Sequence, residues 1–84
     1  MTPADIISRV ALDTGINPSL LMSRTRDAWV VAARDRAIAT IRHRLPHYTL
    51  ANIAMWFLDA RGRPMHHTSI MAAIKRHKAR EATP

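Results

Sequence analysis

The sequence predicts an all-α fold: a small helical domain of about five helices, forming a single domain over residues 1–84. Apolar residues recur at helical spacing in several segments, which open on capping residues or proline and close on glycine or proline. No segment alternates polar and apolar residues over enough positions to support a strand. With 48% hydrophobic residues, a chain of 84 residues is near the size at which one core suffices, so we expect one domain.

Two short helices are expected near the start of the chain. Thr2 and Pro3 supply a hydroxyl cap and a proline at the first helical position, and Gly15 is placed as a C-terminal stop. An Asn-Pro pair at residues 17–18 repeats the start signal and is followed by one apolar turn. The helical pattern then breaks at residues 23–27, which read S-R-T-R-D and are interpreted as a basic connector.

Three further helices follow the connector. Helical spacing returns in a long third helix that Pro46 ends, and a fourth helix is expected over residues 49–58. Gly62 and Pro64 break that helix, and the fifth is expected over about residues 66–78. Two helices joined by a break, the second opening on small polar side chains, form the pattern of a helix-turn-helix, whose second helix reads DNA in the major groove.

The charge of the chain is strongly positive. Thirteen Lys and Arg residues oppose six Asp and Glu residues, for a formal net charge of +7, and most of the positive residues are arginine. Arginine binds phosphate through a rigid fork of donors, so a polyanionic partner is expected. A net charge of this size is also compatible with a purely solubilising role on a small domain, so charge alone does not decide the function.

Several chemistries have no residues to support them. The chain has no cysteine, so neither a disulfide framework nor a thiolate zinc site is available. The adjacent His66 and His67 make a poor chelating pair, so neither a metal nor another cofactor is expected. Paired carboxylates, a nucleophile motif and a phosphate-binding loop are all missing from the sequence, and we do not expect an enzyme.

The longest apolar runs are only a few residues, against roughly 20 needed to cross a bilayer, so no membrane contact is expected. The first residues also lack the basic flank and the long apolar segment of a signal peptide. These observations favour a cytoplasmic protein, associated with the nucleoid if it binds DNA.

The order and spacing of these parts resemble one known family. The matching segments are the basic loop Ser23–Arg26, Arg34 and residues 37–38 of the long helix, residues 49–57 of the fourth helix, the Gly62-Arg63 pair, and the His67-Thr68-Ser69-Ile70 stretch. Together they resemble the C-terminal DNA-binding domain of the bacterial replication initiator DnaA, within the Trp-repressor-like helix-turn-helix superfamily. The resemblance covers about residues 6–78.

The resemblance implies that double-stranded DNA is the partner and assigns roles to individual residues. It places Arg26 in the minor groove and His67 and Thr68 on base edges in the major groove, with Ser69 as a further base or phosphate contact. Phosphate contacts that fix register without reading sequence are expected from other basic residues. The predicted DNA-binding residues are Arg24, Arg26, Arg34, Arg63, His66, His67, Thr68, Ser69, Lys75 and Arg76.

Two departures from the family pattern bear on function. His66 stands where the family has an aspartate that would cap the recognition helix, and the turn over residues 58–65 is longer than the family's. The initiator's ATPase motif, G-x-x-x-x-G-K-[ST], does not occur in this sequence. We therefore expect a transcription regulator, or the DNA-binding part of one. The alternatives are a DNA-binding fragment, accessory factor or competitor of the initiator at its boxes, and a protein-interaction module that kept the fold and binds a protein of the transcription or replication machinery.

The tryptophan and methionine side chains admit more than one interpretation. Trp29 and Trp56 could stack on bases, but packing in the core or between helices is the favoured prediction for both. Met55, Met65 and Met71 are predicted to fill gaps in the core.

Overall fold

The computed structural model describes residues 1–23, 25–59 and 61–82, and within these ranges the chain forms five helices and no strand. The helices are α1 (Pro3–Thr14), α2 (Pro18–Leu21), α3 (Ala28–Arg44), α4 (Leu50–Ala54) and α5 (His67–Ala82). The predicted all-α fold is confirmed.

Helix α1 begins and ends as its sequence predicts. The Thr2 hydroxyl accepts the Asp5 backbone N–H, and the Asp5 carboxylate accepts the Thr2 N–H at 2.8 Å, so two otherwise unpaired donors are satisfied. Gly15 ends the helix with φ = 72°, a left-handed conformation that glycine adopts without strain. The hydrogen bonds from Thr2 lower the pKa of Asp5, because they stabilise its ionised form.

Helix α3 is the centre of the domain, since every other helix packs against it. The core is formed by aliphatic side chains and one aromatic ring that the surrounding helices bury completely. Its fully buried members include Ile7, Leu21, Val30, Ile38, Ile41, Ile53, Phe57 and Ile70. Because these residues come from all five helices and the turn after α4, the core sets the position of α5 relative to the rest of the chain.

Helix α4 is shorter than predicted. Thr49 is its N-cap and forms a reciprocal capping pair with Asn52, as the sequence indicates, but the α-helix ends at Ala54 instead of Leu58. The Trp56 N–H bonds to the carbonyl of Ile53, three residues earlier, so the chain tightens into a 3₁₀-type turn.

The segment after α4 then leaves helical conformation to pair with two other segments. The Leu58 N–H donates to the Met22 carbonyl at 3.2 Å, and Leu58 forms an isolated antiparallel bridge with Pro64. The Met65 N–H returns to the Phe57 carbonyl at 3.0 Å. These pairings outside the helix explain why apolar periodicity overestimated the length of α4.

The surface carries several large apolar side chains. Trp29 is 59% exposed, and Met55 and Met71 are also exposed, so the prediction that these three residues pack in the interior is wrong. Trp56 and Met65 are partly buried against the core, as predicted. No helix within the described ranges is long and apolar enough to span a membrane.

Candidate nucleic-acid interface

The start of α5 is capped by a histidine side chain. The His66 carbonyl accepts the Ile70 N–H, and the His66 ring nitrogen Nδ1 accepts the Thr68 backbone N–H at 3.3 Å. The Thr68 hydroxyl lies 2.9 Å from the same nitrogen. Nδ1 can accept these bonds only when the imidazole is neutral with its proton on Nε2. The His66 side chain therefore caps the start of α5.

The predicted base-reading side chains face outward from this capped end. His67 and Thr68 are exposed and Ser69 is partly exposed, whereas Ile70 and Ala73 anchor the opposite side of α5 in the core. Because a helix repeats every 3.6 residues, the buried pair fixes which side chains point to solvent. The structure thus leaves the first turn of α5 accessible.

Further along α5, the exposed face continues with basic and apolar side chains. Thr68, Met71, Lys75 and Lys78 are spaced by three or four residues and form one exposed stripe. Lys75, one of the predicted phosphate contacts, lies on this stripe about two turns beyond Thr68.

The basic connector between α2 and α3 is held by hydrogen bonds to its own side chains. Ser23 Oγ donates to the Leu20 carbonyl at 2.7 Å and accepts the Thr25 N–H at 3.2 Å. Such a hydroxyl turn orders a short segment without secondary structure. Arg26 is exposed at the end of this turn. Arg24, another predicted phosphate contact, lies outside the described residues.

Arg34 holds the connector from within the protein. Its Nε donates to the Leu21 carbonyl at 2.9 Å, and its Nη2 donates to the Thr25 carbonyl at 2.8 Å, so the guanidinium group joins the last residue of α2 to the middle of the connector. Only 6% of Arg34 is exposed. The predicted phosphate contact at Arg34 is therefore corrected: the side chain is enclosed and its donors serve backbone carbonyls.

The electrostatic environment of Arg34 reflects this position. Burial lowers the pKa of Arg34, because desolvation penalises the charged form, while Asp35 opposes the shift and Arg26 and Arg76 add to it. An arginine nevertheless stays protonated in proteins, so its charge contributes to the potential of the connector.

Helix α5 and the connector meet at a small cavity of about 210 Å³. Arg26 and Arg34 from the connector side and Ser69 and Arg76 from α5 line this cavity, together with Asp59 of the turn. Four predicted DNA-binding residues that are far apart in the sequence therefore lie around one hollow. An exposed arginine of the connector beside the flank of α5 is the juxtaposition that a two-part DNA contact requires.

Arg76 also has a structural partner that sequence reasoning missed. Its Nε and Nη2 donate to the Asp35 carboxylate at 2.9 and 3.0 Å, and Arg80 Nη1 donates to the same carboxylate at 2.8 Å. Asp35 is 1% exposed. This hydrogen bonding raises the pKa of Arg76. The pattern in the sequence that could have indicated the contact is the single acidic residue between two arginines on an otherwise basic helix.

The long turn between α4 and α5 is organised by Asp59. Its Oδ1 accepts the backbone N–H groups of Arg61 at 2.8 Å and Arg63 at 3.0 Å, and Gly62 takes φ = 77° between them. These two hydrogen bonds, the one from Arg63 first, lower the pKa of Asp59. Arg63, a predicted DNA contact, is exposed on this turn.

In comparisons with known proteins, no family model, no curated protein and no solved structure matches this chain. Within the described residues, no three His, Cys, Asp or Glu side chains lie close enough to hold a metal ion.

Proposed function

We propose that this protein binds double-stranded DNA sequence-specifically, with α4, the following turn and α5 acting as a helix-turn-helix. The observation that supports the proposal is the position of Arg26 beside the Ser69–Arg76 flank of α5, while His67 and Thr68 stay exposed at the start of the helix. A basic connector and the start of one helix can then contact adjacent grooves of the same duplex.

In this proposal the first turn of α5 enters the major groove. The Thr68 hydroxyl lies 2.9 Å from His66 Nδ1, and Thr68 is exposed at the start of the helix. A hydroxyl can accept from the exocyclic amine of adenine or cytosine, and the Thr68 methyl group suits the methyl group of thymine. His67 adds a second exposed donor or acceptor at the same end of the helix.

The basic side chains supply orientation and affinity. Arg26 is proposed to enter the minor groove, where the negative potential of a narrow groove favours a guanidinium group. Lys75 on the exposed stripe and Arg63 on the turn are proposed to bind phosphates on either side of α5. Arg34 supports this arrangement from inside, since it holds the connector that carries Arg26.

As a biological role, we propose regulation of transcription through occupation of promoter sites. The test is selection of bound duplexes from fragmented genomic DNA at near-physiological salt, followed by sequencing. An enriched motif located at promoters would support the full proposal, whereas a motif confined to a replication origin would favour an accessory role in replication. The absence of any motif, with binding that vanishes as salt rises, would contradict sequence-specific readout.

A further inference from the structure

Trp29 stands in the wall of an open groove that the proposed DNA contact does not use. The groove has a volume of about 510 Å³ and lies between the end of α1, the first half of α3 and the last turns of α5. Its described lining residues are Thr14, Ile16, Trp29, Ala32, Ala33, Arg36, His77, Arg80 and Glu81. A hollow of this size is within the range of ligand and peptide sites in proteins.

The shape of the groove follows from the residues that form it. Ala32 and Ala33 are small, so a hollow is left beside the indole ring of Trp29. Burying the indole elsewhere in the core would be favourable for folding, yet 59% of Trp29 remains exposed. Tryptophan is among the residues that contribute most to binding energy in protein interfaces.

The walls of the groove are held in place by ion pairs between helices. Arg36 on α3 binds Asp13 on α1 at 2.9 Å, and Arg80 on α5 binds Asp35 on α3 at 2.8 Å. Each contact joins two of the three helices that form the groove. A site whose walls are fixed before binding loses less entropy when a partner docks.

The charge around the groove indicates the chemistry of its partner. Each of these two ion pairs uses one nitrogen of the guanidinium group, and 42% of the Arg36 side chain and 44% of the Arg80 side chain remain exposed. Among the described lining residues, Glu81 is the acidic one, and it pairs with His77. The exposed donors therefore favour carboxylates, and a second copy of a chain with a net charge of +7 is disfavoured by repulsion.

The groove faces away from the proposed DNA contact. On α3, Trp29 and Arg36 lie on one side, whereas Val31 and Arg34 lie on the opposite side and line the cavity beside Arg26. On α5, Arg80 lies about 16 Å along the helix axis from Ser69. A partner in the groove and a DNA duplex on α5 can therefore bind at the same time.

We propose that this groove docks an acidic segment of a partner protein, which places an apolar side chain against Trp29 and carboxylates against Arg36 and Arg80. The occupant is thus an acidic amphipathic peptide. A helix or an extended segment with Leu or Phe on one face and Asp or Glu beside it satisfies both requirements.

The test uses the full chain labelled with ¹⁵N and a short synthetic peptide with Leu and Phe on one face and Glu and Asp on the other. We expect saturable shifts in the NMR signals of the Trp29 indole and of residues lining the groove. Trp29→Ala should weaken peptide binding at least about tenfold. Arg36→Gln should weaken it by a smaller factor. Leu12→Ala removes another exposed apolar side chain and should leave peptide binding unchanged.

Two analogue peptides and two further measurements complete the experiment. Replacing Glu and Asp of the peptide by Lys, or Leu and Phe by Ser, should abolish the shifts. Equal binding of the basic peptide, or equal binding by Trp29→Ala, would overturn the proposal. Self-association that Trp29→Ala abolishes would assign the groove to a second copy, and loss of DNA binding in Trp29→Ala would assign it to DNA; either result would overturn the proposal. Circular dichroism of each variant confirms that the fold is kept.

Discussion

The two ends of α5 differ in what their polar side chains bind. At the first turn, the side chains of His67 and Thr68 are exposed. In the last turns, Arg76 and Arg80 both bind the buried carboxylate of Asp35. The same helix therefore carries exposed polar side chains at its first turn and arginines that also pair within the fold in its last turns.

The difference shows that a net charge of +7 cannot be read as a uniform DNA-binding surface. Arg34 and Arg76 carry the same side chain as Arg26, but Arg34 donates to backbone carbonyls inside the protein and Arg76 binds a buried aspartate. Only tertiary contacts separate arginines that hold the fold from those that can meet a phosphate.

The largest expected effect on stability comes from removing the arginines in the last turns of α5 that bind Asp35. Replacing both Arg76 and Arg80 by Ala leaves the Asp35 carboxylate buried without its guanidinium partners, and we expect a loss of about 3 kcal/mol in the free energy of unfolding. This value lies at the lower end of the usual range because both arginines are partly exposed. Urea unfolding followed by circular dichroism measures it.

The matched control removes the same charge from the exposed stripe. The double variant Lys75→Ala and Lys78→Ala should change the free energy of unfolding by less than about 0.5 kcal/mol. Equal losses in the two double variants would show that the pairing with Asp35 contributes nothing to stability.

The next effect distinguishes the two arginines near the connector. Arg34→Lys keeps the charge but loses the two-pronged hydrogen bonding to Leu21 and Thr25, and we expect about 2 kcal/mol of destabilisation. Arg26→Ala should leave stability nearly unchanged. It should reduce by about one the slope of the logarithm of the DNA-binding constant against the logarithm of the salt concentration. If Arg34→Lys left both stability and DNA binding unchanged, its role in holding the connector would be refuted.

At the exposed first turn of α5, substitutions are expected to change which DNA sequences the protein prefers. Thr68→Ala should cost about 1–2 kcal/mol of binding free energy and relax the preference at one base pair, since it removes the hydroxyl proposed to contact a base. Lys75→Ala should weaken binding to all sequences alike. Thr40→Ala, on α3 and bonded to its own helix, serves as the unaffected control. Competition binding with single-base variants of the selected motif measures the difference, and equal losses over all sequences for Thr68→Ala would leave only electrostatic binding.

The smallest expected effect is that of low pH on the stability of the turn before α5. The folded pKa of Asp59 lies below its ordinary value, so its contribution to stability is present above the unfolded pKa and is lost as the pH falls through the folded pKa. Between about pH 5 and pH 2 we expect the turn to loosen, visible as lower protection of the Arg61 and Arg63 amide protons relative to their intrinsic exchange rates at each pH.

Two substitutions check the origin of this acid effect. Asp59→Asn retains an acceptor oxygen but does not titrate, so it should flatten the acid dependence of amide protection at the turn. Asp27→Asn should not flatten it, because Asp27 makes no capping hydrogen bond at α3. An unchanged acid profile in Asp59→Asn would mean that another group governs the turn.

Much of the fold could be predicted because its signals are local. The caps at Thr2 and Thr49 and the glycine stop at Gly15 depend on residues within four positions, and all three are observed. The length of α4 could not be predicted in this way. Leu58 continues the apolar pattern of a helix, but its backbone bonds to Met22, which is far away in the sequence.

The sequence by itself determined the helical fold and the caps, because periodicity and capping act over one or two turns. Only the tertiary structure decided that Arg34 is enclosed, that Asp35 is buried between α3 and α5, and that Trp29 is exposed. The physical reason is that burial depends on which helices meet. The local sequence around an arginine or a tryptophan can be the same whether the side chain faces the core, another helix or water.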